Sequence, residues 1–187
     1  MATLRVFSDS ESIAEEIASR WRDQIQQAEE KDDVFSVVLS GGSTASLVYS
    51  HLAKLKSVES ICWERVHIFW ADERCVSPEH EESNYLNIQR TFLNDIQIPG
   101  ENVHRIRGEE EPSGESFRYE KEIIDHLMLR KDEEKFFDWV LLGLGSDGHT
   151  ASLFPGQESL LDTQNLCAVV EHPDSGQKRI ALTPYAL

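Results

Sequence analysis

The chain has 187 residues, 40% hydrophobic and 28% charged, which suffices for one well-cored domain and is ordinary for a globular protein. Its formal net charge of -16 argues against a nucleic-acid partner, because phosphate backbones are bound through dense lysine and arginine patches. The same field repels phosphorylated metabolites, so a site for one must rest on locally placed arginines and backbone amides.

Residues 1–187 read as a single domain, without repeats or a linker. No run approaches membrane-spanning length, and the N-terminus lacks the apolar stretch and small-residue cleavage site of a secretory signal. Cys62, Cys75 and Cys167 are odd in number and have no CxxC spacing, so the expectation is reduced thiols in a cytoplasmic protein.

In chain order, Ser8, Asp9 and Ser10 offer helix caps, and Ile13, Ile17, Trp21 and Ile25 then recur on one helical face. Val34 to Leu39 reads as a strand ending at a glycine turn, Ser40-Gly41-Gly42-Ser43-Thr44, after which Leu47, Val48, Leu52 and Leu55 resume helical spacing. Val66 to Trp70 is a second strand, which ends at a loop, Ala71-Asp72-Glu73-Arg74. Tyr85, Ile88, Phe92 and Leu93 mark the next helix, Val103 to Ile106 a third strand, and Ser113 to Leu129 a further helix. The mixed charges from Arg130 to Lys135 read as a solvated connection. The apolar run around Leu141 and Leu142 predicts a buried strand running into Gly143-Leu144-Gly145-Ser146-Asp147-Gly148-His149. Arg179 to Leu182 is a last strand, and Thr183-Pro184 reads as a cap and first residue of a helix. Such alternation predicts an α/β fold, a three-layer α/β/α sandwich around a mostly parallel, Rossmann-like sheet.

Three strand ends carry polar clusters. The Ser40 to Thr44 turn is either a tight connection or an anion cradle built from the amides of Gly41, Gly42 and Ser43 with the hydroxyls of Ser43 and Thr44. It lacks the Gly-Lys-Ser/Thr ending of a nucleotide P-loop and the GxGxxG spacing of a dinucleotide site. Asp72-Glu73-Arg74 is either a surface ion-pair cluster or a site in which Asp72 holds Arg74 against a phosphate or an oxyanion. His149 is either a structural cap or a general base oriented by Asp147, two residues away in a glycine-bounded loop. No GxSxG elbow is present, which favours attack by activated water over a covalent acyl-enzyme. His67, His80, His104, His126 and His172 read as scattered, so no metal is expected.

Leu39-Ser40-Gly41-Gly42-Ser43-Thr44, Phe69-Trp70-Ala71-Asp72-Glu73-Arg74 with Ser83-Asn84-Tyr85, and Gly143 through Gly156 together resemble the 6-phosphogluconolactonase family, sugar-lactone hydrolases of the oxidative pentose phosphate pathway. These motifs span nearly the whole chain in the family's order. The wider group includes glucosamine-6-phosphate deaminase, which also has an Asp-Gly-His loop. Trp70-Ala71-Asp72-Glu73-Arg74, Ser83-Asn84-Tyr85 and Leu153-Phe154-Pro155-Gly156 favour the lactonase side.

The resemblance implies hydrolysis of 6-phosphogluconolactone without metal or organic cofactor. His149 would activate water, Asp147 would stabilise the imidazolium, and Arg74 would take oxyanion or phosphate charge. The remaining substrate contacts would come from Gly41, Gly42, Ser43, Thr44, Asp72 and Gly148. Family members run on for several tens of residues past the Arg179 to Thr183 segment, and a lysine there is thought to help bind phosphate. The expectation is therefore a truncated chain in which Arg179 contributes instead. A deaminase-like enzyme and a non-catalytic sugar-phosphate-binding module are the competing readings; the partner is a small phosphosugar lactone, and oligomeric state is left open.

Overall fold

A computed structural model describes residues 3–128 and 135–187. The charged run from Arg130 lies almost entirely outside them. Helix α1 (Ser10–Glu30) starts at Asp9, whose carboxylate accepts from the Ser12 amide at 2.8 Å, and buries Ala14, Ile17, Ala18, Trp21 and Ile25. Strand β1 (Phe35–Leu39) is buried throughout, as expected of a central parallel strand covered on both faces. After it come α2 (Ser43–Leu52), the short α3 (Lys56–Glu59), β2 (Val66–Trp70) and β3 (Asp72–Arg74). Next are α4 (Asn84–Thr91), β4 (Val103–His104), α5 (Pro112–Leu127), β5 (Trp139–Val140), β6 (Cys167–Glu171) and β7 (Lys178–Leu182).

Among the described residues, β4-β2-β1-β5 form a parallel sheet in that order, with Val37 opposite Ile68 and Val38 opposite Val140. Phe35 shares one face with Trp21 of α1, at 6.4 Å between ring centroids, and Trp21 also packs on Phe92 just beyond α4. On the opposite face Phe69 packs against Tyr119 and His126 of α5. Tyr119 further donates its hydroxyl to the Trp70 carbonyl at 3.1 Å and accepts from the Trp70 amide at 2.7 Å, fixing α5 to β2. These contacts place helices on both sides of the parallel sheet. No helix among the described residues is long and apolar enough to cross a membrane.

Several sequence expectations are corrected. Asp72-Glu73-Arg74 is not a loop but β3, which joins β7 and β6 in a second, antiparallel sheet ordered β3-β7-β6. Ala71 links the sheets: its amide donates to Leu39 at 2.8 Å and its carbonyl accepts from Leu182 at 2.8 Å. Pairing of β5 with β1 continues only to the Leu141 amide, and Leu142 and Leu144 are 42% and 81% exposed rather than buried in a strand. The third strand shrinks to Val103–His104. The Thr183 hydroxyl donates to the Asn165 carbonyl at 2.6 Å instead of capping a helix, and residues 184–186 form a turn. His67, His104 and His126, expected to be scattered, come together beneath α5.

Candidate active site

The carboxyl ends of β1, β2 and β5 open into one cleft of about 470 Å³. This is the edge of a parallel sheet at which ligands bind in open α/β folds. Gly41, Gly42, Ser43 and Thr44 form one wall, Asp72, Arg74 and Arg179 another, and Gly143, Gly145 and His149 a third. The cleft therefore gathers all three polar clusters.

The first wall is the start of α2. Gly42 takes φ of 109°, a region that favours glycine, and no side chain caps the helix. The first-turn N–H groups, which have no partner inside a helix, are thus left at the cleft with the positive end of the helix dipole. A Cβ on Gly41 would stand 2.0 Å from Asn84 Oδ1, so glycine there permits the close approach of Asn84.

The second wall is held by a buried polar chain. Asn84 donates through Nδ2 to the Asp72 carbonyl at 2.9 Å, and the Ser152 hydroxyl donates to Asp72 Oδ2 at 2.6 Å. Arg179 in turn donates from Nη1 to Ser152 Oγ at 3.3 Å. Arg74 and Arg179 sit directly opposite each other in the β3–β7 ladder. Burial and the nearby Arg74 charge hold the Arg179 guanidinium below its ordinary range, and the Nε atoms of both arginines are buried without a hydrogen-bond partner. Two close guanidiniums with unused donors are the arrangement an anion relieves. Glu73 points away from the cleft. Its carboxylate accepts from the Arg74, Asn84 and Tyr85 amides and the Ser83 hydroxyl, and burial pushes its pKa up while these donors pull it back.

On the third wall, Asp147 Oδ1 lies 2.5 Å from His149 Nδ1. With the carboxylate accepting there, Nδ1 carries the proton and Nε2 keeps its lone pair. The His149 hydrogen bond holds Asp147 below the ordinary carboxylate range. Gly145 donates its amide to the His149 carbonyl at 2.8 Å and accepts from Gly148 at 3.0 Å, closing the loop. Phe154 packs 5.0 Å from the His149 ring and lies under the Arg179 guanidinium at 5.5 Å, so one buried ring spaces the base from the cation.

Gly148 lies outside this cleft. It supplies φ of 90° for the turn and borders a neighbouring apolar groove with Leu153, Phe154 and Leu187. Asn84 and Ser152 were missed as site residues, although both fall in motifs that carried the resemblance.

A profile of the glucosamine-6-phosphate isomerases/6-phosphogluconolactonase family matches residues 8–187. The chain is 47% identical over 147 residues to a 6-phosphogluconolactonase of Haemophilus influenzae, an alignment covering 79% of this chain and 61% of that protein. A Treponema pallidum 6-phosphogluconolactonase is 35% identical over 182 residues, covering 97% of this chain and 73% of the relative. The crystal structure of a 6-phosphogluconolactonase from Thermotoga maritima superposes with a TM-score of 0.77 at 31% identity, covering 93% of this chain and 74% of the other. The chain thus spans about three fifths to three quarters of the length of these proteins. With the mostly parallel α/β fold agreeing with these matches, the chain belongs to the glucosamine-6-phosphate isomerase/6-phosphogluconolactonase family.

Proposed function

We propose that the cleft hydrolyses 6-phosphoglucono-1,5-lactone to 6-phosphogluconate. The observation that carries this reading is the placement of an Asp147-oriented imidazole and a pair of underused arginines on facing parts of one cleft. His149 Nε2 takes a proton from water, and the hydroxide attacks the lactone carbonyl carbon. Asp147 steadies the imidazolium. As the tetrahedral intermediate collapses, the bond from that carbon to the ring oxygen breaks, and the imidazolium returns its proton to the leaving oxygen.

The 6-phosphate is held by the α2 N-terminus, through the amides of Gly42, Ser43 and Thr44 and the two hydroxyls. Gly41 keeps Asn84 and Asp72 in register behind it. Arg74 and Arg179 supply the positive charge that the phosphate and the developing oxyanion need, against the repulsion of a chain with net charge -16. This local charge also anchors the ester against His149, replacing a bimolecular encounter by a positioned one. The free thiols Cys62, Cys75 and Cys167 fit work in the cytoplasm.

The test is a paired assay of the same preparation. Hydrolysis of 6-phosphogluconolactone is followed above its spontaneous ring opening, and ammonia release from glucosamine 6-phosphate is followed alongside. Lactone turnover without ammonia is the expected result. Ammonia release would assign the cleft to the isomerase side of the family, and lactone binding without turnover would make it a binding module.

A further inference from the structure

His67 on β2, His104 on β4 and His126 on α5 converge on the face of the parallel sheet covered by α5. Each offers one ring nitrogen within 4.8 Å of the others. His67 Nδ1 lies 2.9 Å from His104 Nε2, and His104 Nδ1 lies 2.8 Å from Glu122 Oε1. Because the Glu122 carboxylate accepts, Nδ1 of His104 carries the proton and its Nε2 lone pair faces the other two rings. This carboxylate–imidazole arrangement is the outer-shell pattern that orients histidine ligands on metals.

The cluster is largely withdrawn from solvent, with His67 and His104 part-buried and His126 buried. His126 is 3% exposed, and its ring lies 4.4 Å from that of His67. A stacked contact of 4.4 Å between Phe69 and His104 walls the group on one side. Nothing in the proposed lactone chemistry uses these residues.

We propose that His67, His104 and His126 form a site for one divalent transition-metal ion of the imidazole-preferring kind, such as Zn²⁺, with Glu122 as the outer partner of His104. Ligands at about 2.0–2.1 Å in a tetrahedral site stand about 3.4 Å apart, so the ring nitrogens reach it by side-chain rotation with opening of the His67–His104 hydrogen bond. His67 then carries its proton on Nε2, and no proton need leave the protein. Three imidazoles leave a fourth position for water. The ion ties β2, β4 and α5 together away from the lactone cleft, and Glu122 offsets part of its charge.

The experiment uses the full chain freed of metal by chelator and then titrated with Zn²⁺, and with Co²⁺ for its visible spectrum. One equivalent is expected to bind, with three imidazole neighbours in X-ray absorption and a rise in Tm. His104→Gln is expected to weaken binding at least 100-fold and Glu122→Gln roughly 10- to 100-fold. His149→Ala should leave it intact. Failure of the wild-type chain to retain an equivalent would overturn the site, leaving a buried aromatic layer only. So would binding that His149→Ala removes and His104→Gln spares, since that places the ion in the cleft. Should His104→Gln not fold, the X-ray absorption of the wild-type chain and the Glu122→Gln titration decide: fewer than three imidazoles, or unchanged affinity, overturns the proposal.

Discussion

A methyl group on Gly145 would stand 2.4 Å from both Cε1 and Nδ1 of His149 and 2.7 Å from Asp147 Oδ1. Gly145→Ala must therefore displace the base or its orienting carboxylate. Lactone turnover is expected to fall roughly 10²-fold or more, the usual scale for a lost general base, with a change in Tm of only a few degrees because the loop is exposed. Steady-state kinetics beside a thermal melt checks this, and retained turnover would mean that the loop is free to move His149 without consequence. The pairing of Asp147 with His149 is readable in the sequence because its geometry is local to one loop, whereas the sequence reading singles out Gly148 rather than Gly145, the glycine that crowds the imidazole. Asn84 and Ser152 were not legible, because their importance comes from meeting Asp72 across chain separations of 12 and 80 residues. Arg179 was named as a substitute for a lysine; its apposition to Arg74 depends on an antiparallel register that no single motif encodes.

At the scale of elements, Glu73 fastens the start of α4 to β3 through the Asn84 and Tyr85 amides and the Ser83 hydroxyl, and also accepts from the Arg74 amide within β3. Glu73→Ala strips those donors of their acceptor in a buried place. A loss of roughly 3 kcal/mol is expected in urea unfolding, from several donors at about 1–3 kcal/mol each with partial rescue by water. A loss below about 1 kcal/mol would show that the latch is not structural. The cap of α1 gives a pH signature. Hydrogen bonds from the Ser12 amide and the Ser8 hydroxyl lower the Asp9 pKa from 3.8 to about 2. A depressed carboxylate pKa contributes stability that is present above the unfolded value and lost as pH falls through the folded one. Asp9→Ala should therefore lower Tm by a few degrees at neutral pH, and the gap should close between pH 4 and pH 2 in melts of both proteins. An unchanged gap across that range would discount the cap. Helix α1 and strands β1 and β2 were readable because long, regular periodicity marks them. Strands β3 and β6 escaped, the first being three charged residues long and the second lacking clear alternation.

Over the whole molecule, two sheets meeting at Ala71 bring together groups from both halves of the chain: the α2 N-terminus, the β3–β7 arginines and the loop after β5. The parallel order β4-β2-β1-β5 puts strand ends on one edge, as strand–helix alternation predicted. The same topology assembles His67, His104 and His126, which sequence spacing had left apart because none shares a strand or a helical turn with another. In the proposed reading local charge works against the global field, since the arginine pair would hold an anion on a chain of net charge -16. The central claim, that His149 activates water in this cleft, is tested most directly by the kcat for 6-phosphogluconolactone of the wild-type chain and of His149→Ala, each corrected for spontaneous hydrolysis. The account predicts a fall of roughly 10²- to 10⁴-fold in the variant, with the fold intact by circular dichroism. An unchanged kcat would contradict it.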